Sequence, residues 1–286
     1  MRQFGRQYRL VLGSEENGLV IDSLRVTFEF TKSIDNTPNK AEIRIWNLNR
    51  EHREWLYGSD FRKVWLWAGY SELRLLYAGD ITAVALERKE LDNVIVLTCN
   101  TGDTDMREAR VSTTLAAGST ANDHVKVAVA SMTGTTPGQV VLPKQRPLPR
   151  GKVLSGLSRD VLSEVAAEQG ADWSIQDGDL LLLPAGYVLD DQAVFLSQET
   201  GLIGALKEIK GGGLELTCLI DPAPRVGGTV RLKSIEPRYD GDYKIVTINS
   251  KGDVMEKDWY CVLSVIGGEF QKKDAAKTDK GGKGNG

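Results

Sequence analysis

His52 and His124 are the only two histidines in the 286-residue chain, and general base chemistry near neutral pH would start from one of them. They stand far apart, each on a stretch that reads as a helix, so each is expected to be a helix-face residue. Paired carboxylates are the other route to hydrolysis, and Asp103/Asp105, Asp177/Asp179 and Asp190/Asp191 are candidates. A glycosidase needs two such groups across a cleft. These pairs all sit in turn-like sequence, where Asp bonds nearby backbone. No HExxH, GxSxG, P-loop or GxGxxG spacing occurs. Cys99, Cys218 and Cys261 are odd in number and lack a CxxC, which predicts buried reduced thiols rather than a disulfide framework or a zinc site. The chain is therefore expected to be no enzyme, with no catalytic residue, metal or cofactor.

Aromatic chemistry is concentrated instead. Trp46, Trp55, Trp65 and Trp67 are four of the six tryptophans. Such a cluster could stack sugar rings, or it could fill a core and a subunit interface, where the large amphipathic indole is favoured. In TPNKAEIRIWNLN, Trp46 alternates with Arg44 and Glu42, opposite Ala41, Ile43 and Ile45. Trp65 and Trp67 likewise share one face of a second alternating run. The interface reading is preferred, with Glu42, Arg44, Trp46, Trp65 and Trp67 as its residues. A glycan-binding or glycan-cleaving role is the alternative.

The elements that must carry these residues are mostly strands. LRVTFEFTK, KVWLWAG, ELRLLYAGDIT and NVIVLTC alternate with period two and are bounded by Gly, Asp or Asn. One helix interrupts them, with Asn49 as its N-cap and Leu48, His52, Trp55 and Leu56 at helical spacing. It is expected to lie across an open barrel end. From about residue 103 the texture changes: Ser119 to Met132 and Ser158 to Gln169 read as helices, the second capped by Ser158. DWSIQDGDLLLLP reads as a hairpin turning on Asp177-Gly178. From about 200 the alternation returns in LELTCLI, TVRLKS, DYKIVTIN and DWYCVLSVI.

The two β regions look alike. A slide of 162 positions (239 minus 77) lays YAGDITAVALERKELDNVIVLTC on YDGDYKIVTINSKGDVMEKDWYC, with Tyr77, Gly79, Asp80, Val84, Lys89 and Cys99 falling on identical residues. Upstream, Asn47 over Asp221 requires 174, and the 12-residue difference (174 minus 162) matches the helix at 49 to 58. This predicts one barrel used twice, with the helix only in the first copy and Cys99 matching Cys261. The expected fold is mainly β, two antiparallel barrels flanking a small α+β domain. The divisions are 1–102, 103–199, 200–268, and a disordered tail over 269–286, whose QKKDAAKTDKGGKGNG carries five Lys against two Asp.

Composition narrows the partners. A net charge of -3 gives no basic field for holding a nucleic acid. No apolar run approaches the roughly 20 residues of a membrane helix, and MRQFGRQYRL lacks the apolar centre of a signal peptide, so the chain is expected to be made in a cytoplasm and not to insert in a membrane.

KSIDNTPNKAEIRIWNLN resembles the strand-loop-strand near the N-terminus of baseplate hub proteins of contractile-tailed bacteriophages, where an Asn-Leu precedes a short helix. The order of barrel, inserted α+β domain and second barrel is similar to that family over residues 8 to 268, and type VI secretion spikes reuse the same unit. The resemblance implies a structural adaptor in the virion tail baseplate, made in the host cytoplasm. In such hubs three chains form a ring of two tube-like barrels each, resembling the sixfold tail tube, with the central spike docked below. Its partners would be itself as a homotrimer, the tail tube or a tube-initiator protein, and the spike, with DNA passing through the channel without specific binding. Two barrels per chain make a trimer quasi-sixfold, which suits a junction between sixfold and threefold parts. The alternative becomes a tail-associated glycan-binding or glycan-cleaving protein.

Overall fold

The computed structural model describes residues 5–13, 18–58, 62–189, 192–209 and 212–272. Strand-forming alternation dominates the first region: β1 (Gln7–Leu12), β2 (Leu19–Ile21), β3 (Val26–Ser33), β4 (Lys40–Trp46), β5 (Lys63–Gly69), β6 (Leu73–Lys89) and β7 (Asp92–Asn100). Between β4 and β5 lies α1 (Arg50–Gly58). Asn49 caps it through a 2.7 Å bond from the His52 amide, and Arg50 pairs with Glu54 one turn on at 2.7 Å. Leu48 and Leu56 are buried beneath it.

The middle segment holds α2 (Asp103–Glu108), β8 (Arg110–Leu115), α3 (Ala121–Ala130), β9 (Lys152–Leu157), α4 (Ser158–Gln169), β10 (Ala171–Gln176) and β11 (Asp179–Pro184). Thr120 and Asp123 form a reciprocal capping box at the start of α3. The expected cap of α4 is displaced: Leu157 holds that position, and the Ser158 hydroxyl inside the first turn instead meets Ser131 Oγ at 2.5 Å. Asp177 and Gly178, at φ 54° and 98°, make the tight turn that joins β10 to β11, where positive φ at both centres matches strand twist. Val125, Leu162, Val165, Trp173 and Leu180 belong to a separate small core here.

The last strands are β12 (Tyr187–Val188), β13 (Val194–Leu196), β14 (Leu202–Ile209), β15 (Gly213–Leu219), β16 (Thr229–Leu232), β17 (Gly241–Asp253), β18 (Trp259–Gly267) and β19 (Gln271–Lys272). Parallel pairing of β12 with β19 places Gln271 and Lys272 against Tyr187 and Val188. The start of the expected tail is therefore ordered by backbone pairing, and the rest of it, 273–286, lies outside the described residues.

One large antiparallel sheet runs β14-β15-β18-β17-β3-β4-β7-β6-β5-β1-β2, with β16 beside β17. The path does not close on itself among the described residues. Within it the order β3-β4-β7-β6-β5 reappears as β14-β15-β18-β17-β16. Each long hairpin also carries one β-bulge, between Ile81 and Ala83 in β6 and between Ile245 and Thr247 in β17. Bulges fix register, so Thr82 falls on Val246. The first pair beyond the bulge is Ala83–Thr98 in one hairpin and Thr247–Ser264 in the other. Counted from those pairs, Cys99 falls on Val265, and Cys261 falls on Ile95. The expected match of the two cysteines is thus wrong. The gapless slide crossed a turn of two residues, Glu90 and Leu91, in one copy and of five, Val254 to Asp258, in the other. Slips of even number preserve alternation, which is why the sequence pattern tolerated the error.

Inward residues of both halves share one continuous core, including Phe28, Phe30, Ile43, Leu97, Leu216, Ile245, Trp259 and Leu263. Trp259 meets the Phe28 ring edge-on at 5.7 Å. Where β17 passes Phe28 the backbone must come close: a Cβ at Gly252 would sit 2.2 Å from Phe28 Cζ. The three cysteines are free and buried. Burial pushes the Cys99 thiol up to about 12, and burial likewise raises Cys261 to about 11. Because the thiolate is the reactive form, an aromatic disulfide reagent should titrate no thiol in the native protein and three after denaturation. A fast-reacting thiol before denaturation would contradict this packing.

Candidate functional site

The outward face of β4 carries Glu42, Arg44 and Trp46, since Ala41, Ile43 and Ile45 point into the core. Arg44 bridges two carboxylates, Glu42 at 2.7 Å and Glu87 at 2.7 Å on β6. It reaches Glu87 across β7, whose outward residues there are the valines 94 and 96. Trp46 lies between cations: the Arg25 guanidinium is 4.6 Å from one ring centroid and Lys89 Nζ is 5.5 Å away. Arg25 is itself fixed by Asp253 at 2.6 Å. The indole N–H of Trp46 is buried without a hydrogen-bond partner. A shallow cavity of about 250 Å³ opens beside these residues.

Trp65 and Trp67 stand on β5, half-buried, and face away from Val64, Leu66 and Ala68. The strand order places β7 and β6 between them and Trp46. The structure therefore unites Glu42, Arg44 and Trp46 and keeps the other two tryptophans apart. Trp67 borders a larger cavity of about 670 Å³, shared with Lys32, Asp177, Asp221 and Leu263. Trp55 packs against the main core from α1.

The residues between β3 and β4 do more than turn the chain. Asn39 is buried; its Oδ1 accepts the Ser33 amide at 2.8 Å, and its Nδ2 donates to the Ile175 carbonyl at 3.3 Å and to Gln176 Oε1 at 3.1 Å. Gln176 Nε2 donates in turn to the Ser33 carbonyl at 2.7 Å. Asp177 pairs with Lys32 and accepts the Ala78 amide at 2.9 Å. The β10–β11 turn is thus latched onto the end of β3, the start of β4 and Ala78 within β6. Sequence reading missed this latch. Its signals are Pro38-Asn39 and the turn at Asp177, whose sequence points only to local backbone bonding.

Among the described residues, the other candidate carboxylates are also engaged in the fold. Asp103 and Asp105 lie in α2, not at a turn, and Asp105 accepts the amides of Thr133 and Gly134 at 2.9 Å each and the Thr135 hydroxyl at 2.6 Å. Asp179 bonds Thr136. Asp190 and Asp191 lie outside the described residues. His124 is buried in α3, and desolvation by that burial lowers its pKa. His52 lies on α1, so the two imidazoles belong to different elements. Among the described residues no cluster of three metal-ligating side chains occurs, and no helix is long and apolar enough to cross a membrane.

Comparison with known proteins identifies the fold. The structure is similar to the 43 kDa tail protein of prophage MuSo2 from Shewanella oneidensis, with a TM-score of 0.60 and 9% identity over 92% of this chain and 98% of that one. It is also similar to a tail protein from Neisseria meningitidis MC58, with a TM-score of 0.60 and 10% identity over 92% and 96%. A third similar structure, E. coli c3393, is a component of the type VI secretion system, with a TM-score of 0.57 and 13% identity over 85% and 73%. No curated protein matches the sequence. The family model described as Baseplate hub gp41 matches residues 9–262, and the chain belongs to that family of bacteriophage tail proteins.

Proposed function

We propose that the chain is a structural adaptor without catalytic activity, three copies of which form a pseudo-sixfold ring joining the tail tube, or a tube-initiator protein, to the central spike. The observation that carries this reading is the strand order β3-β4-β7-β6-β5 recurring as β14-β15-β18-β17-β16 in one chain. Two equivalent units per chain turn a threefold particle into one with six similar positions. Each unit would curl into a tube-like barrel, the first over 1–102 and the second over 200–268, with 103–199 as an inserted domain latched at Asn39 and Asp177. DNA would pass through the channel without specific contacts.

Glu42, Arg44, Trp46, Trp65 and Trp67 are proposed to meet a neighbouring subunit. Trp46 supports this, because a buried indole N–H without an acceptor costs about 1–3 kcal/mol, and a neighbour could supply the acceptor. Native mass spectrometry should find a particle of three 31.4-kDa chains, and class averages of stained particles should show a ring with sixfold-like outline. A chain that stays monomeric at micromolar concentration would overturn the reading.

A further inference from the structure

Core-facing residues form one row across the large sheet, in which Cys218, Cys261, Ser250, Phe30, Ala41 and Cys99 are successive cross-strand partners. All three thiols lie in this row, yet only two are neighbours: Cys218 on β15 directly faces Cys261 on β18. Cys99 stands four strands from Cys261, roughly 19 Å along the sheet at about 4.8 Å per strand. Directly opposed residues of an antiparallel pair have Cα atoms about 4.5–5.5 Å apart, inside the range of about 4.4–6.8 Å that a disulfide spans. Both side chains point into the core, so side-chain rotation brings the two sulfurs together.

The two thiols are not equivalent. Cys261, and not Cys218, borders the cavity of about 670 Å³. Its sulfur lies 3.1 Å from Ser250 Oγ. Burial raises the Cys261 pKa to about 11 against the opposing hydrogen bonds of Ser250 and the Asp221 backbone, whereas burial and the neighbouring Cys261 raise Cys218 well above the usual thiol value. The thiolate is the nucleophile, so Cys261 is the thiol that reacts first and Cys218 the one that resolves. Both residues are 2% exposed, which keeps out a bulky aromatic reagent; a two-oxygen peroxide needs only a brief opening of the cavity wall.

We infer that Cys218 and Cys261 are an oxidation site at which a small peroxide closes a cross-strand disulfide, stapling β15 to β18. The Cys261 sulfur attacks the peroxide O–O bond, giving a sulfenic acid and one water. The Cys218 sulfur then attacks that of Cys261; the S–O bond breaks, and the departing hydroxide takes the Cys218 proton as a second water. Two thiols are oxidised to one disulfide and one peroxide is reduced to two waters. The closed loop holds β16 and β17 between its ends. A tail protein passes from a reducing cell interior to oxidising surroundings when particles are released, where disulfides persist, so the staple closes after assembly. Nothing in this inference depends on the ring proposed above.

The full chain, purified reduced, is treated while folded with equimolar hydrogen peroxide and then alkylated in denaturant. Alkylatable thiols should fall from three to one, and peptide mapping should join Cys218 to Cys261 and find Cys99 alkylated. The thermal midpoint should rise by roughly 5–15 °C and return to its starting value with dithiothreitol. C99S should behave as the parent chain does, whereas C218S should stop at the first step, with a dimedone trap labelling Cys261. Three alkylatable thiols after treatment, a linkage that includes Cys99, or linkages only between chains would each overturn the inference. The linkage map of the parent chain decides this even where a variant misfolds.

Discussion

Asn39→Ala is expected to lower the thermal midpoint by roughly 6–12 °C, from a loss of about 3 kcal/mol at 2–4 °C per kcal/mol for a chain of this size. The side chain satisfies the Ser33 amide, the Ile175 carbonyl and Gln176 Oε1 in a buried site. Truncation strands the Ile175 carbonyl in a buried site and the Ser33 amide in a half-buried one, and unpaired buried groups are among the few causes of large single-mutant effects. Asn39→Asp separates hydrogen bonding from volume. It keeps the shape and the acceptor for Ser33 but cannot donate to Ile175, and it sets a carboxylate against that carbonyl. Calorimetry should therefore find Asn39→Asp no more stable than Asn39→Ala. An aspartate variant within about 1 °C of the parent protein would show that Asn39 only fills space. Limited proteolysis should cut the middle segment faster in both variants, because the latch adds to the packing of Val141, Leu181 and Leu183 on the main core in holding that segment to the sheet.

The contrast between Asn39 and Asn49 shows what a single sequence can reveal. Asn49 acts on an amide three residues away, so its capping role was legible from local spacing. Asn39 acts on residues 175 and 176, and no local pattern encodes a partner so distant. Inside and outside faces of β4 were legible for the same local reason, since alternation alone decides them. Register was not: the bulges at Thr82 and Val246 and the unequal turns each insert residues that alternation cannot count. The tryptophans show the same limit. Their proximity in sequence suggested one cluster, but β7 and β6, later in the chain, pair between β4 and β5 and divide it.

Trp46→Ala and Arg44→Ala are expected to weaken the proposed ring while leaving the chain folded. Within one chain, Trp46 gains from Arg25 and Lys89 about 0.5–1 kcal/mol each as cation–π contacts at a partly exposed site. That loss is small beside a folding stability of roughly 5–15 kcal/mol. At an interface the same truncation commonly costs about 2 kcal/mol or more, or roughly 30-fold in the concentration at which the ring dissociates. Arg44→Ala acts by charge. It leaves Glu42 and Glu87 without their shared cation on the face proposed to meet a neighbouring subunit. Both carboxylates are solvent-exposed enough that the isolated chain should lose under about 1 kcal/mol. Sedimentation across a dilution series, with circular dichroism on the same samples, separates the two effects. A Trp46→Ala chain that has lost its strand signal at low concentration would show that Trp46 holds the single chain together, and its proposed role at a subunit interface would fall.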